Sequence, residues 1–168
     1  MMKNFLIKTK AGTLLFEVET VSLKRAVELA VRKKVALCDA DLQGADLRDA
    51  DLTGAILSRC NLKEANLCGA NLHKANLGAS NLVNAKLSGA FLDEAHFCGA
   101  RFICADLRDA SLCDADLSYA DFRKAFLYYA KLHGSNIEGA CFSSADLRGI
   151  RGLSIKDRMS ICFKRALS

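Results

Sequence analysis

A five-residue repeat runs through most of the chain and limits its fold more than any other feature. From Leu37 to Leu147 a large apolar residue recurs at every fifth position, without insertion or deletion. These 23 residues, here called the centres, comprise 18 Leu, four Phe and one Ile. Two residues before each centre stands Ala in all but four repeats, and the four exceptions are Val35, Cys60, Ser80 and Ser135.

A period of five residues fits neither a helix nor a straight strand. In an α-helix successive centres would rotate by about 140° and circle the helix axis. In a strand an odd period would send every second centre to the opposite face. The chain must therefore turn once per repeat to keep its centres inside, and the sequence predicts a solenoid.

The repeat A-(D/N)-L-x-x, seen at 45–49 and 70–74, resembles that of the pentapeptide-repeat proteins. The resemblance implies an all-β solenoid, a right-handed quadrilateral β-helix with one pentapeptide per side and four per coil. The centres would then form nearly six coils, a rod roughly 27 Å long at about 4.8 Å per coil. The structural core of such a rod would include Leu47, Leu67, Leu87, Phe102, Phe122 and Phe142, the three Phe stacking in one column.

Each repeat position has a physical role under this reading. Ala is small because the interior beside each centre is narrow, so a larger residue there would overpack the core. Asp or Asn before the centre can accept hydrogen bonds from nearby backbone, which suits a corner in every repeat. The positions after the centre vary, and we expect function to lie in these outward columns.

The N-terminal residues 1–34 do not follow the repeat and predict a ββα cap. Two apolar strands, at 4–8 and 13–18, flank a turn. A helix follows over 22–34, with Ser22 as its N-cap and basic residues in its last turn. We expect this unit to cover the open edge of the first coil.

The remaining domains are the β-helix at 35–149 and a C-terminal segment at 150–168. The C-terminal segment predicts a helical cap, or a homodimer contact through residues 153–167. Net charge is +5 for 1–34, −4 for 35–149 and +4 for 150–168. The sequence therefore describes an acidic rod between two basic ends.

Composition and cysteine spacing exclude several classes of protein. With no Pro, no Trp and only 11 Gly, the chain is neither collagen-like nor disordered. Its apolar runs are a few residues long, too short to cross a bilayer. Eight Cys occur without a C-x₂-C pair, which argues against a zinc site and against disulfides. We expect a cytoplasmic protein without a cofactor.

One outward column raises the question of chemistry. Residues twenty positions apart would stack in one column, which contains Thr53, His73, Asp93, Cys113 and His133. The last three could suggest a metal site or an activated thiol. These side chains would stand on an exposed wall, whereas a catalytic group needs an enclosed setting. His96 beside Asp116 is a weaker candidate. Since phosphate loops and nucleophile motifs are also missing, we predict neither catalytic nor metal-binding residues and no enzyme activity.

Two functions stay open. The first is a non-catalytic scaffold whose flat walls dock a protein partner. The second follows from the resemblance, because some pentapeptide-repeat proteins mimic DNA and bind DNA gyrase, a type II topoisomerase, in quinolone resistance. The residues expected to face a partner are two Asp groups and three Tyr: Asp39, Asp41, Asp46, Asp49, Asp51, Asp106, Asp109, Asp114, Asp116, Asp121, Tyr119, Tyr128 and Tyr129.

Neither function follows directly from net charge. The net charge of −4 over residues 35–149 is small compared with that of a DNA duplex, which carries one negative charge per about 1.7 Å. The chain also lacks the loop insertions found in one branch of the gyrase-binding group. Direct nucleic-acid binding is not favoured either, because the basic run at 32–34 has no interleaved aromatic residues.

Overall fold

The chain begins with an antiparallel β-hairpin, as the sequence predicts. The computed structural model describes residues 2–154 and Asp157. Strand β1 (Lys3–Lys8) pairs with strand β2 (Leu14–Thr20), and the register shifts between Ile7 and Lys8. Ile7 is the buried residue of β1 and belongs to the core.

The predicted helix follows as α1 (Leu23–Arg32), and its N-cap is the predicted one. The Ser22 hydroxyl accepts a hydrogen bond from the Arg25 N–H at 3.1 Å, which satisfies one free donor of the first turn. With ten residues, α1 is shorter than the predicted segment 22–34. No helix in the described part of the chain is long and apolar enough to cross a membrane.

A Schellman motif ends α1 two residues before the predicted end. The Val35 N–H donates to the Ala30 carbonyl at 2.9 Å, and the Lys34 N–H donates to the Val31 carbonyl at 2.8 Å. Lys34 has a positive φ of 56° at the position where glycine is usual. The chain therefore leaves the helix abruptly and enters the first repeat.

Polar side chains of α1 contact the backbone of the first coil. The Glu28 carboxylate accepts from the Asp51 N–H at 3.2 Å, and Arg25 donates to the same carboxylate. Lys24 donates to the Arg48 carbonyl. These contacts supply partners for two backbone groups that no earlier coil could reach.

The repeat forms a parallel β-solenoid with a coil of twenty residues. Each residue before a centre bridges to the residue twenty positions later, from Asp41 with Asn61 to Lys131 with Arg151. The bridges are built from alternating bonds such as Leu42 N–H to the Asn61 carbonyl, at 2.8 Å. Since four pentapeptides complete one coil, the solenoid has four sides, and the predicted period is confirmed.

Every repeat turns through the same hydrogen bond. The carbonyl of the centre accepts from the N–H three residues later, as Leu42 does from Ala45 at 3.1 Å. The second residue after each centre, from Asp39 to Gly149, has φ between 54° and 72°. Eight of these residues are Gly and 15 are not. This is the geometry of a type II turn, whose third position favours glycine.

The Asp and Asn side chains bond the turns as predicted. The Asn71 side-chain oxygen accepts from the His73 N–H at 3.1 Å, and Asp46 accepts from the Arg48 N–H at 3.3 Å. The same contact recurs at other repeats along the rod. Each carboxylate or amide therefore stabilises the corner that follows it.

The interior holds the centres and the small residues beside them. Except for Ile137 and Leu147, which are half-buried, all centres are buried. The rings of Phe102 and Phe122 stack at 4.7 Å, and those of Phe122 and Phe142 at 4.9 Å, so the predicted column is confirmed.

Three exceptions at the Ala positions carry polar groups that find backbone partners, and one of them, Ser135, donates its hydroxyl to the Leu112 carbonyl at 2.8 Å. The Ser80 hydroxyl donates to the Leu57 carbonyl at 2.8 Å and accepts from the Cys60 N–H at 3.2 Å. The Cys60 thiol contacts the Leu37 carbonyl at 2.9 Å. Because each group is bonded, these residues fill the narrow interior without an unsatisfied polar atom.

The four sides define four walls, each named by its column of centres and including the outward residues beside them. The columns start at Leu42 for wall 1, Leu47 for wall 2, Leu52 for wall 3 and Leu37 for wall 4, and each continues in steps of twenty residues. Of the predicted C-terminal helical segment 150–168, residues 150–154 and Asp157 are described, and Arg151 still bridges to Lys131 of the solenoid. The other residues of this predicted helix lie outside the described part of the chain.

Candidate functional site

The two Asp groups form rings around the rod. Consecutive repeats lie on consecutive walls, so neighbours in sequence point in different directions. In the first group Asp39 lies on wall 4, Asp41 on wall 1, Asp51 on wall 3, and two others on wall 2. The second group is distributed in the same way, with Asp106 and Asp109 on wall 2, Asp114 on wall 3, Asp116 on wall 4 and Asp121 on wall 1. No single wall therefore collects either group.

Several of these carboxylates are paired with arginine. Where Arg follows Asp by two residues, the two side chains leave the same wall on either side of a centre. Arg48 binds Asp46 through two bonds of 2.8 and 2.6 Å, and Arg108 binds Asp106 at 2.8 and 2.7 Å. The same pair recurs at Asp121 with Arg123 and at Asp146 with Arg148.

The pairing lowers the pKa values of the carboxyl groups. The hydrogen bonds from Arg48 hold the pKa of Asp46 at about 2. Asp39 pairs with Arg59 one coil further on, and that hydrogen bond lowers its pKa as well. These carboxylates stay ionised. Because each has a guanidinium beside it, the two opposite charges cancel for any group that approaches from further away.

Other predicted Asp side chains accept neutral donors. Asp41 accepts from the Asn61 amide at 2.7 Å, across one coil. The side-chain hydrogen bond with Ser118 lowers the pKa of Asp116, and the Ser118 N–H, which donates to Asp116 at 3.1 Å, and the nearby His96 lower it further. Neutral donors stabilise these two carboxylates without cancelling their charge, so the exposed negative charge is reduced only at the Asp residues that pair with arginine.

Wall 2 carries an aromatic patch, defined as Phe126, Tyr128 and Tyr129. The two Tyr rings lie 4.1 Å apart between centroids, and the hydrogen bond with Tyr129 raises the pKa of Tyr128. Phe126 is 49% exposed and Tyr129 is 44% exposed. The third predicted tyrosine, Tyr119, is 64% exposed but lies on wall 4, with its ring against Gly139.

Ion pairs bound the aromatic patch on both sides. Phe126 bridges to Asp106 in the coil before and to Asp146 in the coil after. The Arg148 guanidinium lies over the Tyr128 ring at 5.4 Å. Together these residues line a shallow groove of about 550 Å³, formed by Asp106, Arg108, Phe126, Tyr128, Asp146 and Arg148.

Sequence reasoning missed Phe126, although a signal for it exists. Phe126 occupies the position before a centre, where Asp or Asn is usual and where the side chain points outward. A large apolar residue in that position must be exposed. Phe91, on wall 3, follows the same rule and is 55% exposed.

The wall 3 column contains polar contacts of an ordinary kind. The Asp93 carboxylate accepts from the Cys113 N–H and the Ser111 hydroxyl, both at 2.7 Å. His73 lies 3.8 Å from Glu94. Within residues 2–154, no three His, Cys, Asp or Glu side chains converge as metal ligands would. The contacts of Asp93 are those of a carboxylate that joins its own coil to the next one.

A four-sided parallel solenoid built from a single short unit defines a repeat protein. The family model described as "Pentapeptide repeats (8 copies)" matches residues 34–67, 45–82, 80–118 and 111–149. The chain belongs to this family. No curated protein matches it.

Solved structures of other pentapeptide-repeat proteins are similar to the chain. A trypsin-treated variant of QnrB1, a plasmid-mediated fluoroquinolone resistance protein, is 27% identical with a TM-score of 0.56, and the match covers 67% of this chain and 60% of that one. HetL, involved in heterocyst differentiation regulation in the cyanobacterium Nostoc, is 37% identical with a TM-score of 0.36, covering 66% and 65%. The chain thus spans less than two thirds of either relative.

Proposed function

We propose that this protein is a non-catalytic scaffold that docks a protein partner on wall 2. The observation that carries this proposal is the aromatic patch, held between the ion pairs of Asp106 and Asp146. Together with Trp, Tyr and Arg are the residue types most enriched among those that dominate binding energy at protein interfaces. Here both types lie on one rigid, flat surface, so their rotamers cost little further entropy on binding.

The other parts of the chain serve this scaffold. The hairpin and α1 cap the first coil, and the C-terminal segment 150–168 caps the last coil or pairs with a second copy. The solenoid is right-handed and has nearly six coils, as the resemblance implies. The cytoplasm is the proposed location, because the cysteines follow no disulfide pattern.

The test compares two exposed Phe residues that occupy the same repeat position on different walls. The protein is used as bait in an extract of its source cells, with quantitative mass spectrometry of what it retains. Phe126→Asn is expected to lower retention of the partner by roughly thirtyfold, as loss of a central contact of about 2 kcal/mol does. The matched control, Phe91→Asn on wall 3, should leave retention unchanged. Equal losses in both variants would refute docking on wall 2.

A second candidate is a DNA-mimicking protein that binds DNA gyrase or a related topoisomerase. The likeness to QnrB1, a fluoroquinolone resistance protein, favours it. The pairing of Asp39, Asp46, Asp106 and Asp121 with arginine weighs against it, because a duplex mimic needs unpaired negative charge.

Gyrase supercoiling, with and without a quinolone, tests this second candidate. A mimic would inhibit or protect the enzyme, weaken with salt, and lose potency in the Asp109→Asn/Asp114→Asn variant. The scaffold proposal predicts no effect of the protein at any point of the titration. Binding that persists in Phe126→Asn but not in the Asp variant would favour the mimic.

A further inference from the structure

A second groove lies at the opposite end of the rod, between the end of α1 and the first two coils. We call it the N-terminal groove, and its volume is about 340 Å³. We propose that it binds an acidic segment of a protein partner, a carboxylate side chain together with a neighbouring aliphatic one. This site is independent of the wall 2 patch. Its lining consists of Val31, Arg32, Lys34, Val35, Thr53, Gly54, Ala55 and Ile56.

The cations of this groove lack acidic partners. Arg32 and Lys34 are exposed, and no carboxylate in the described part of the chain pairs with either of them. The lining of the groove contains neither Asp nor Glu. In contrast, the wall 2 groove sets its arginines against Asp106 and Asp146, and the groove beside Lys24 includes two Asp residues. Among these three grooves, the N-terminal groove is therefore the one whose positive charge has no acidic residue beside it.

The fold also leaves a backbone donor in the lining. In later coils the N–H before each wall 4 centre donates to a carbonyl 21 residues earlier, as Asn76 does to Ala55 at 2.8 Å. The equivalent residue here is Ile56, whose acceptor would be Val35. The Schellman motif draws the Val35 backbone toward α1, and the Ile56 N–H has no hydrogen-bond partner among residues 2–154. A carboxylate oxygen can supply that acceptor.

The floor of the groove selects the kind of anion. Ile56 is 42% exposed, and Val31 and Val35 are half-buried beside it. Such aliphatic surface suits a Leu or Val side chain next to the carboxylate. It does not suit a nucleic acid, because single-strand binders place aromatic rings under the bases and this lining has none.

The C-terminal cap of α1 permits a clean test. Lys34 has a left-handed backbone, so Lys34→Gly removes the charge at a position where glycine is preferred. This variant should fold at least as well as the unchanged protein. Combined with Arg32→Gln it removes two charges from the groove. The matched control, Lys8→Gln/Lys10→Gly, removes two charges from the hairpin.

The probe is a fluorescent peptide of alternating Glu and Leu residues, followed by anisotropy. We expect saturable binding, weakened about tenfold or more in the groove variant and unchanged in the hairpin control. In ¹⁵N NMR the Ile56 amide should shift on titration with the peptide. Absence of binding, or equal weakening in both variants, would overturn the proposal. Tighter binding of poly(U) RNA or of anionic vesicles than of the peptide would overturn it as well.

Discussion

The stacked phenylalanine column offers the sharpest test of how the rod is stabilised. Phe122 is fully buried between the rings of Phe102 and Phe142, with interplanar angles of 6° and 3°. Replacing it with Leu is a mild change of shape, because the same column holds Leu in the first three coils. The variant Phe122→Leu should therefore fold while losing both ring contacts.

The expected loss of stability follows from those contacts. An aromatic pair contributes about 0.5–1.5 kcal/mol beyond its buried area, so two pairs contribute about 1–3 kcal/mol. The smaller side chain removes about 1 kcal/mol more of apolar burial. We expect Phe122→Leu to lower the free energy of unfolding by about 2–4 kcal/mol, and Phe142→Leu, which has one ring neighbour on its N-terminal side, by clearly less.

Urea unfolding followed by circular dichroism measures these losses, and an unchanged m value shows that the same unit unfolds. The double variant Phe122→Leu/Phe142→Leu closes a mutant cycle. Its coupling energy should equal one ring pair, about 0.5–1.5 kcal/mol. A coupling below about 0.3 kcal/mol would mean that the rings act only as apolar volume, and the stacking argument would be refuted.

Three further predictions concern turns, charge and the buried thiol. A Cβ at Gly44 would meet no atom within 4 Å, but φ of this residue is +65°, so Gly44→Ala should lower the free energy of unfolding by about 0.5–1 kcal/mol. Ala79→Gly, at the same repeat position, should raise it by a similar amount. Thermal unfolding measures both changes, and changes of the same sign would contradict the argument. The pKa of Asp46 is about 2 in the folded protein, below its unfolded value of about 4. The stabilisation from its pair with Arg48 is therefore present above pH 4 and is lost as the pH falls toward 2. NMR titration of the Asp46 carboxyl should show a midpoint near 2, which rises toward 4 in Arg48→Gln. Burial raises the pKa of Cys60 to about 12, so iodoacetamide at pH 8 should modify this thiol only after unfolding, and prompt labelling in the native protein, read by mass spectrometry, would count against the burial.

Much of the fold could be predicted because one period determines it. A five-residue repeat cannot stay on one face of a helix or strand, so a turn in each repeat is required, and the Phe column indicates the length of a coil. The left-handed turn residues could not be predicted in the same way. Tyr119 and Tyr129 carry no local signal for a positive φ. They adopt it because the backbone bonds to the coils on either side outweigh a local cost of about 1 kcal/mol.

The Asp–Arg pairs could have been predicted from the sequence. Positions before and after a centre share a wall, so Asp46 with Arg48 and Asp106 with Arg108 could have been paired by their spacing alone. The N-terminal groove could not have been predicted from the sequence. It depends on how the Schellman motif at Lys34 turns the chain away from Ile56, and that geometry follows from contacts between α1 and the solenoid.

The choice between the two candidate functions depends on how a linear sequence wraps around four walls. Residues that are close in sequence, such as the Asp residues of the first coil, separate onto different sides and cannot form one anionic surface. Residues twenty positions apart, such as Asp106, Phe126 and Asp146, meet on one wall and can. A duplex mimic needs charge repeated along a wall, coil after coil, whereas wall 2 places one set of aromatic rings between the ion pairs of Asp106 and Asp146. In the scaffold proposal these rings form the middle of the docking surface and the ion pairs its border, as is usual for protein interfaces.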